Sequence, residues 1–270
     1  MERLQSRTLT LTAEGVTKKF GGVTAVDNVT ISVPVGRVTG LMGPNGAGKS
    51  TLLAVLSGAL RPDSGRVQFG DREVTSIGRT RMAAAGVVQT FQKASPLTGL
   101  TVLENVLVGM TSQYSGGAAA VFLRPGQLRR QEAAFVERAR AIIGQFGLLD
   151  HATIDSAKLS FGQLRFLEIA RAMVMEPKIL LLDEPAAGLN RTEAVLMGQT
   201  IGKIREGGAG VLVVDHDVRF LFEICDEIVV MDSGKVIASG PPKIVERDPL
   251  VRAAYLSVES SPAEASGGKF

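Results

Sequence analysis

The segment GPNGAGKST, residues 43–51, combines three glycines with a lysine and two hydroxyl side chains, a composition suited to binding phosphate. Glycines let the backbone fold so that several consecutive N–H groups point at one phosphate group. Where a helix starts directly after such a loop, its N-terminus adds a partial positive charge. Two glycines five residues apart, followed by Lys and Ser, form the P-loop pattern, so we interpret this segment as a nucleotide site.

The side chains of this loop have distinct expected roles. Lys49 is predicted to reach the β- and γ-phosphates of ATP, and the Ser50 hydroxyl to be a ligand of Mg²⁺. The alternative is a chance glycine-rich turn, since the chain contains 31 glycines. The position of the loop between an apolar strand and an apolar helix disfavours that alternative. The residues expected to bind the nucleotide here are Gly43, Pro44, Asn45, Gly46, Ala47, Gly48, Lys49, Ser50 and Thr51.

A second chemical motif is ILLLDEP, residues 179–185, in which two carboxylates follow four apolar residues. Asp183 could hold Mg²⁺ through water, and Glu184 could polarise a water molecule for attack on the γ-phosphate. A surface pair of acids is the alternative, but carboxylates at the end of a buried strand favour a functional site.

Two histidines are present, and only one is assigned a role. His216 follows the apolar run VLVVD and would reach the same sheet edge as Asp183, where it could donate a hydrogen bond to the γ-phosphate. The alternative is a structural histidine, the commoner case for a lone one. His151 stands in a predicted loop with no evident partner, and no role is predicted for it.

These residues must be positioned by the elements around them, and the pattern of those elements indicates an α/β fold. Continuously apolar strands such as ILLL and VLVV are typical of parallel strands buried on both faces. The predicted strands are Thr8–Thr17, Val29–Val33, Val38–Met42, Arg66–Phe69, Ile179–Leu182, Val211–Val214, Glu227–Met231 and Lys235–Ala238.

The stretch from about Pro96 to Pro177 has a different character, because long helical patterns replace the strand patterns. Helices are predicted over Arg129–Gly144 and Gln163–Met175, with a loop at SQYSGGAAA, residues 112–120. We interpret this stretch as a helical subdomain inserted into the α/β chain. The last dozen residues, 259–270, have no apolar periodicity and are predicted to be disordered.

Composition limits the function classes. The 270 residues carry a net charge of +3, which is weak evidence for any polyanionic partner, so no nucleic acid is expected. No run approaches the roughly 18 apolar residues that a membrane span needs. The one cysteine, Cys225, excludes an intramolecular disulfide and favours a reducing compartment.

In their order along the chain, these motifs resemble the ATP-binding-cassette (ABC) ATPases, from about Leu9 to Val258. By this resemblance Phe20 matches the aromatic residue that stacks on adenine, and Gln92 the glutamine that contacts Mg²⁺ and the attacking water. The family's signature sequence matches LSFGQ, residues 159–163, and its D-loop matches AGLN, residues 187–190. His216 matches the switch histidine.

The resemblance implies a P-loop NTPase fold of the ABC cassette type, with a RecA-like core, an antiparallel β subdomain and the inserted helical subdomain. It divides the chain into a first part of the nucleotide-binding core over residues 1–94 and the helical subdomain over 95–177. The second part of the core then covers residues 178–258, and the tail covers 259–270.

The resemblance also implies that the signature serves a second cassette. In the family two cassettes pair head to tail, and each ATP lies between the P-loop of one and the signature of the other. Ser160, Gly162 and Gln163 would therefore contact the partner's nucleotide, with Ser160 and the Gly162 N–H facing its γ-phosphate. A monomer is then expected to hydrolyse ATP feebly or not at all.

Two residues depart from the usual family pattern. Phe161 stands where the signature usually has Gly, and Asn190 ends the D-loop where Asp is common. Because Phe cannot adopt a positive φ as cheaply as Gly, we expect the donor geometry of the signature to be slightly altered. Hydrolysis is still expected, since Ser160, Gly162 and Glu184 are present.

Both departures, together with TFQ, LEIARAM, LDEPAAGLN, DHDV and DPLVRAAYL, resemble one branch of the family. That branch contains the ATP-binding subunits of bacterial and archaeal importers of branched-chain amino acids. It implies a second cassette (a paralogous subunit or a second copy), two transmembrane permeases and, indirectly, a periplasmic binding protein. The chain would then lie peripherally on the cytoplasmic face of the inner (plasma) membrane, with its permeases docked near Gln92, Leu97 and Leu100.

Other functions remain open at this point. The same branch also transports urea, amides and aromatic acids, and an exporter cassette would differ only in direction. A soluble ABC protein acting on nucleic acid or ribosomes usually has two cassettes or long coiled coils, whereas here the signature at residue 159 follows a P-loop that ends at residue 51. A regulatory cassette that binds ATP without hydrolysis is opposed by Gln92, Glu184 and His216.

Overall fold

The computed structural model of the chain describes residues 9–90, 97–110 and 125–259. Gln92, the predicted loop 112–120 and residues 260–270 of the predicted tail lie outside the described residues. Within the described part, ten strands are β1 (Thr10–Phe20), β2 (Val23–Pro34), β3 (Val38–Met42), β4 (Ser64–Phe69), β5 (Arg72–Glu73), β6 (Val87–Gln89), β7 (Ile179–Asp183), β8 (Gly210–Val214), β9 (Glu227–Asp232) and β10 (Lys235–Gly240).

The helices alternate with these strands on both sides of a central insertion. They are α1 (Lys49–Leu56), α2 (Arg79–Ala85), α3 (Val102–Val108), α4 (Pro125–Gln145), α5 (Phe161–Met173), α6 (Arg191–Glu206), α7 (Val218–Ile224), α8 (Pro242–Val245) and α9 (Pro249–Glu259). No helix among the described residues combines the length and the apolar character needed to cross a membrane.

A six-stranded sheet forms the centre of the fold, in the order β10-β9-β3-β8-β7-β6. Its strands are parallel except for β10, which pairs antiparallel with β9. Every residue of β3, β7 and β8 is buried. The alternating helices and parallel strands confirm the predicted α/β class.

Both faces of this sheet are covered, which explains why its strands are continuously apolar. On β7, Leu180 and Leu182 belong to a core shared with the helices of the insertion. Ile179 and Leu181 belong to a second core, which contains Leu52 of α1. A side-chain period of two along the strand divides its residues between the two cores.

A second, antiparallel sheet has the order β2-β1-β4-β5 and closes the second core. Its long hairpin pairs Ala13 of β1 with Ile31 of β2, and both side chains are buried. This hairpin carries Phe20 at its turn and passes Ala25 alongside the loop after β3. The antiparallel sheet therefore contributes directly to the surroundings of the P-loop.

Between β6 and β7 the described residues form helices, short 3-10 turns and one isolated bridge, between Thr101 and Asp155. Val106 of α3, Ile143 of α4 and Leu167 of α5 are buried in one cluster, because each helix presents an apolar face to the others. This arrangement holds the N-terminus of α5, the signature segment, at a fixed place beside the core.

The predicted strands all correspond to observed strands, with end shifts of a few residues. The helices predicted over Arg129–Gly144 and Gln163–Met175 correspond to α4 and α5. The sequence reasoning missed β5 and β6 and gave no bounds for α2, α3 or the helices after β7. β6 has only three residues, too few to show a period, and Met82 is the one buried residue of α2. Of the predicted tail, Glu259 is described, as the last residue of α9.

Candidate functional site

The loop between β3 and α1 fits its neighbours so closely that two of its positions accept only glycine. Gly43 has φ 152° and Gly48 has φ 98°. A Cβ on Gly43 would lie 2.1 Å from the carbonyl oxygen of Met231, and one on Gly48 would lie 2.2 Å from that of Ala25. The loop therefore packs against β9 on one side and β2 on the other.

Lys49, the first residue of α1, is folded back over this loop. Its Nζ donates hydrogen bonds to the carbonyl oxygens of Gly43, at 2.7 Å, and Pro44, at 2.9 Å. Burial lowers the pKa of the Lys49 ammonium, while the carboxylates of Glu184 and Asp183 act in the opposite direction. A confined cation beside a helix N-terminus is an arrangement suited to a phosphate group.

A groove of about 280 Å³ opens over the loop, at the carboxyl ends of the parallel strands. Ligands of open α/β sheets commonly bind at this edge. Gly43 and Pro44 do not line the groove, and their carbonyl oxygens accept the hydrogen bonds from Lys49. The groove is lined by Ala25, Asn45, Gly46, Ala47, Gly48, Lys49, Ser50, Thr51, Glu184 and Val214.

The two consecutive carboxylates after the apolar run of β7 have different surroundings. Asp183 is buried at the end of the strand, and its pKa is raised to about 6 by burial and then by the carboxylates of Glu184 and Asp215. Glu184 has a left-handed backbone with φ 51°, and its N–H donates to the Val214 carbonyl oxygen at 2.7 Å. This turn leaves Glu184 on the wall of the groove and Asp183 behind it.

His216 stands next to Glu184 at the same edge. Its Nδ1 lies 3.9 Å from Glu184 Oε1 and 3.6 Å from Asp215 Oδ1, both longer than a hydrogen bond. The side chain is 62% exposed. The ring is therefore exposed beside the carboxylate that the sequence predicts to activate water, although His216 does not itself line the groove.

Asp215 is a structural part of the site that the sequence reasoning missed. It is fully buried, and its Oδ1 accepts from the N–H groups of His216, at 2.8 Å, and Asp217, at 3.0 Å. Its Oδ2 accepts from the Ala186 N–H at 3.2 Å. Burial raises the pKa of Asp215, although these backbone N–H bonds act against the rise. Its position directly after an apolar strand, like that of Asp183, was a signal that could have found it.

The signature segment lies at the N-terminus of α5 and does not line the P-loop groove. Ser160 caps the helix, since its Oγ accepts from the Gln163 N–H at 3.2 Å. In return, Gln163 Oε1 accepts from the Ser160 N–H at 2.9 Å. Gly162 is buried beside Glu193 of α6, whose carboxylate would have to move to admit a Cβ at that position.

The expected strain at Phe161 is not found. Phe161 is the first residue of α5, and it is not among the residues other than glycine that have a positive φ in the described part of the chain. The expectation that its bulk alters the backbone through an unfavourable φ was therefore wrong, because a helical φ suits any L-residue.

Arg165 is a second residue that the sequence reasoning missed. It is buried one turn into α5, with its guanidinium 5.2 Å from the centre of the Phe161 ring and its Nη1 3.3 Å from Glu168 Oε2. Its charge also acts to lower the pKa of Asp183. Apolar periodicity gave no signal for it, since a buried arginine interrupts that pattern.

Phe20 lies at the turn between β1 and β2 and does not line the P-loop groove. Phe20 is 48% exposed, and the Nζ of Lys18 lies 5.7 Å from the centre of its ring. Lys18 is held there by Asp63 at 2.9 Å. An exposed aromatic face of this kind can stack on a flat ligand such as a nucleobase.

Comparison with known proteins matches residues 26–187 to the family model described as "ABC transporter". The chain is 36% identical to the high-affinity branched-chain amino acid transport ATP-binding protein LivG of Salmonella typhimurium, over 91% of this chain and 97% of that protein. It is 35% identical to the probable LivG protein of Archaeoglobus fulgidus, over 94% of this chain and 98% of that protein.

Solved structures give a matching result. A nucleotide-free ATP-binding cassette from an ABC transporter superposes with a TM-score of 0.80 at 33% identity, covering 92% of this chain and 98% of that one. A dimeric bacterial ABC transporter cassette superposes with a TM-score of 0.72 at 26% identity, covering 86% of this chain and 98% of that one.

Proposed function

The chain belongs to the ABC transporter family and is an ATPase of that family, and we propose that it powers an importer of branched-chain amino acids. The observation that carries the chemical part is the groove in which the P-loop faces Glu184. The transport part is supported by the names of the relatives. Both the bacterial and the archaeal relative are named as branched-chain amino acid transport proteins, and each matches nearly the whole length of this chain.

ATP binding is assigned to the P-loop and the hairpin turn. The N–H groups of residues 45–51 and the Lys49 ammonium would hold the β- and γ-phosphates, since these groups line or border the groove. Phe20 would stack on the adenine with its exposed ring face. Gly43 and Pro44 would support the loop from behind, through their carbonyl bonds to Lys49.

The donor set fits Mg²⁺. No group of three or more His, Cys, Asp or Glu side chains that could hold a metal occurs in the described parts of the chain. Mg²⁺ in nucleotide sites is commonly held by one or two protein oxygens together with the phosphates, so such a cage is not needed. Ser50 and Asp183 would hold it, with Gln92, and when bound it would neutralise charge on the phosphates.

Hydrolysis is assigned to Glu184 and His216. Glu184 would accept a proton from the attacking water, because its carboxylate stands on the groove wall opposite the P-loop. His216 would donate a hydrogen bond to the γ-phosphate, because its exposed ring lies near Glu184. Asp215 would set the position of both loops through its three backbone bonds.

The active form is proposed to be a pair of cassettes. Ser160, Gly162 and Gln163 lie outside their own chain's P-loop groove, which supports a role toward the nucleotide of a second cassette. The likeness to a dimeric cassette supports the same arrangement. The second cassette would be a paralogous subunit or another copy of this chain.

In the transporter, the pair of cassettes would dock on two transmembrane permeases at the cytoplasmic face of the inner membrane, and a periplasmic binding protein would deliver the substrate. Residues 1–94 and 178–258 would act as the nucleotide-binding core, and residues 95–177 as the helical subdomain that receives the permeases. Leu97 is exposed and would belong to the docking surface, with Leu100 and Gln92.

The experiment that tests this proposal is purification of the tagged chain from detergent-solubilised membranes of its host, followed by mass spectrometry of the proteins that accompany it. Two hydrophobic permeases and a second cassette support the importer, and the ligand of the associated binding protein then identifies the substrate. Co-purification with ribosomes or DNA, without any membrane protein, would overturn it.

A further inference from the structure

His151, for which the sequence predicts no role, forms a side-chain hydrogen bond with the signature. It ends the 3-10 turn Leu149–His151, which brings its imidazole to the first turn of α5. The Nε2 atoms of His151 and Gln163 lie 3.1 Å apart. A chain of hydrogen bonds therefore runs from His151 through the Gln163 amide to Ser160.

The direction of these bonds follows from the groups that make them. The Ser160 N–H can only donate, so the Gln163 atom that it contacts must be the amide oxygen. The amide nitrogen of Gln163 then faces the imidazole and donates to it. His151 Nε2 must accept, and a neutral His151 must carry its proton on Nδ1.

A histidine at this position has an energetic cost, and packing alone does not explain why a histidine stands there. Nδ1 of His151 is buried and has no hydrogen-bond partner among the described residues. A buried N–H without an acceptor is destabilising, and an apolar side chain at this position would remove that cost. The acceptor at Nε2 is the feature that only a residue like histidine supplies.

We propose that His151 is a positioning residue for the signature, which holds the Gln163 amide in the one orientation that keeps the Ser160 cap closed. If the amide turned over, its NH₂ group would face the Ser160 N–H, donor against donor, and the reciprocal bond would be lost. Ser160 would then no longer be held in the extended conformation that directs its hydroxyl and the first N–H groups of α5. The inference rests on the proposed function, in which these groups bind the partner's ATP.

Two variants separate this role from packing. His151→Leu fills similar space without an acceptor, while His151→Gln offers an amide oxygen near the place of Nε2. Both are made in the full chain with Glu184→Gln, which is expected to hold ATP without hydrolysing it. The measurement is ATP-dependent association with the cassette that co-purifies with the chain, or with itself where none does, by analytical ultracentrifugation.

We expect His151→Leu to raise the ATP concentration for half-association about fivefold, the effect of one neutral hydrogen bond, and His151→Gln to restore it to within about twofold. Binding of a fluorescent ATP analogue to the monomer should be the same in all three chains. If His151 only packs, the His151→Leu chain should be at least as stable as the parent chain and should associate at the same ATP concentration. That result would overturn the proposal.

The outcomes distinguish the two levels of inference. If the parent chain shows no ATP-dependent association, both the proposed function and this inference are wrong. If the parent associates and both His151 variants match it, only the inference fails. A variant-free check is the nuclear magnetic resonance coupling between Gln163 Nε2 and His151 Nε2 across their hydrogen bond, and its absence would also refute the assignment.

Discussion

The ring of Phe161 lies against Gly188, so that the signature and the D-loop of one chain are in direct contact. A Cβ on Gly188 would lie 2.7 Å from Phe161 Cε1, and Gly188 itself has φ 76°. Phe161 as a whole remains 49% exposed, and the guanidinium of Arg165 lies over the face of its ring. Phe161, one of the two departures from the family pattern, therefore contacts the segment that the other departure, Asn190, ends two residues later.

This junction gives a first prediction. Gly188→Ala should destabilise the fold by about 1–2 kcal/mol, because alanine at a positive φ is strained and its methyl group meets the ring. Phe161→Ala in the same chain should recover part of that loss, which a double-mutant cycle of urea unfolding would measure. The matched control is Gly202→Ala in α6, where the Cβ meets open space and alanine favours the helix. Strict additivity of the two changes would contradict the contact.

Glu184→Gln should abolish turnover while leaving ATP binding intact. The amide keeps the size of the side chain but cannot accept a proton from water, so we expect the hydrolysis rate to fall about a hundredfold or more. Phosphate release and fluorescent nucleotide binding, measured on the same preparation of the paired cassettes, separate the two effects. Glu223→Gln, an exposed change of the same kind on α7, should alter neither. Wild-type turnover in Glu184→Gln would show that another group is the base.

Lys49→Ala should instead weaken nucleotide binding. The variant loses the buried ammonium beside the phosphates, and a charged hydrogen bond of this kind corresponds to an increase in Kd of about tenfold or more. Isothermal titration with ATP measures this, and Lys243→Ala on the exposed helix α8 controls for the change in net charge. Unchanged affinity in Lys49→Ala would rule out the P-loop assignment.

Asp215→Asn should lower the stability of the fold more than Asp217→Asn does. An asparagine at 215 has one oxygen where the carboxylate serves three backbone N–H groups, so we expect a loss of about 2 kcal/mol. Asp217→Asn is the control, because Asp217 caps α7 and asparagine caps as well as aspartate. Equal unfolding midpoints for the two variants would refute the structural role of Asp215.

The thiol of Cys225 should be unreactive in the folded protein. Burial, with a smaller effect of Asp226, raises its pKa to about 12. At pH 8 only about one thiol in ten thousand would then be ionised, whereas an unfolded chain with an ordinary thiol ionises far more. Reaction with an aromatic disulfide reagent should therefore be at least about a hundredfold slower before urea is added than after. Comparable rates would contradict the burial.

Residue spacing was sufficient to predict which side chains form the P-loop groove. It was not sufficient to predict the hydrogen bonds that join separate elements around the site. Residues 43–51 and Glu184 were predicted from local patterns, and the structure brings residues 45–51 and Glu184 to one groove. The assigned roles of these residues stay predictions. Strands such as β7 and β8 were found because an uninterrupted apolar run of that length is typical of a buried parallel strand.

The residues that were missed depend on contacts distant in sequence. His151 had no evident partner because Gln163 lies in another element, and the hydrogen bond exists only once α5 is packed. Asp215 resembled a single acid at a strand end, and its importance comes from N–H groups on two separate loops. No local pattern contains such information, since it arises from the topology of the sheet.

The contacts of Gly43 and Gly48 bear on whether the nucleotide loop can be transplanted between proteins. The loop keeps its shape because two carbonyl groups, from strands far apart in sequence, occupy the space where side chains would stand. A graft of residues 43–51 onto another strand and helix would transfer the sequence without the carbonyl groups that pack against it. The unit that would have to be transferred is residues 43–51 together with the backbone at Ala25 and Met231. The short sequence motif is therefore one part of a larger three-dimensional module.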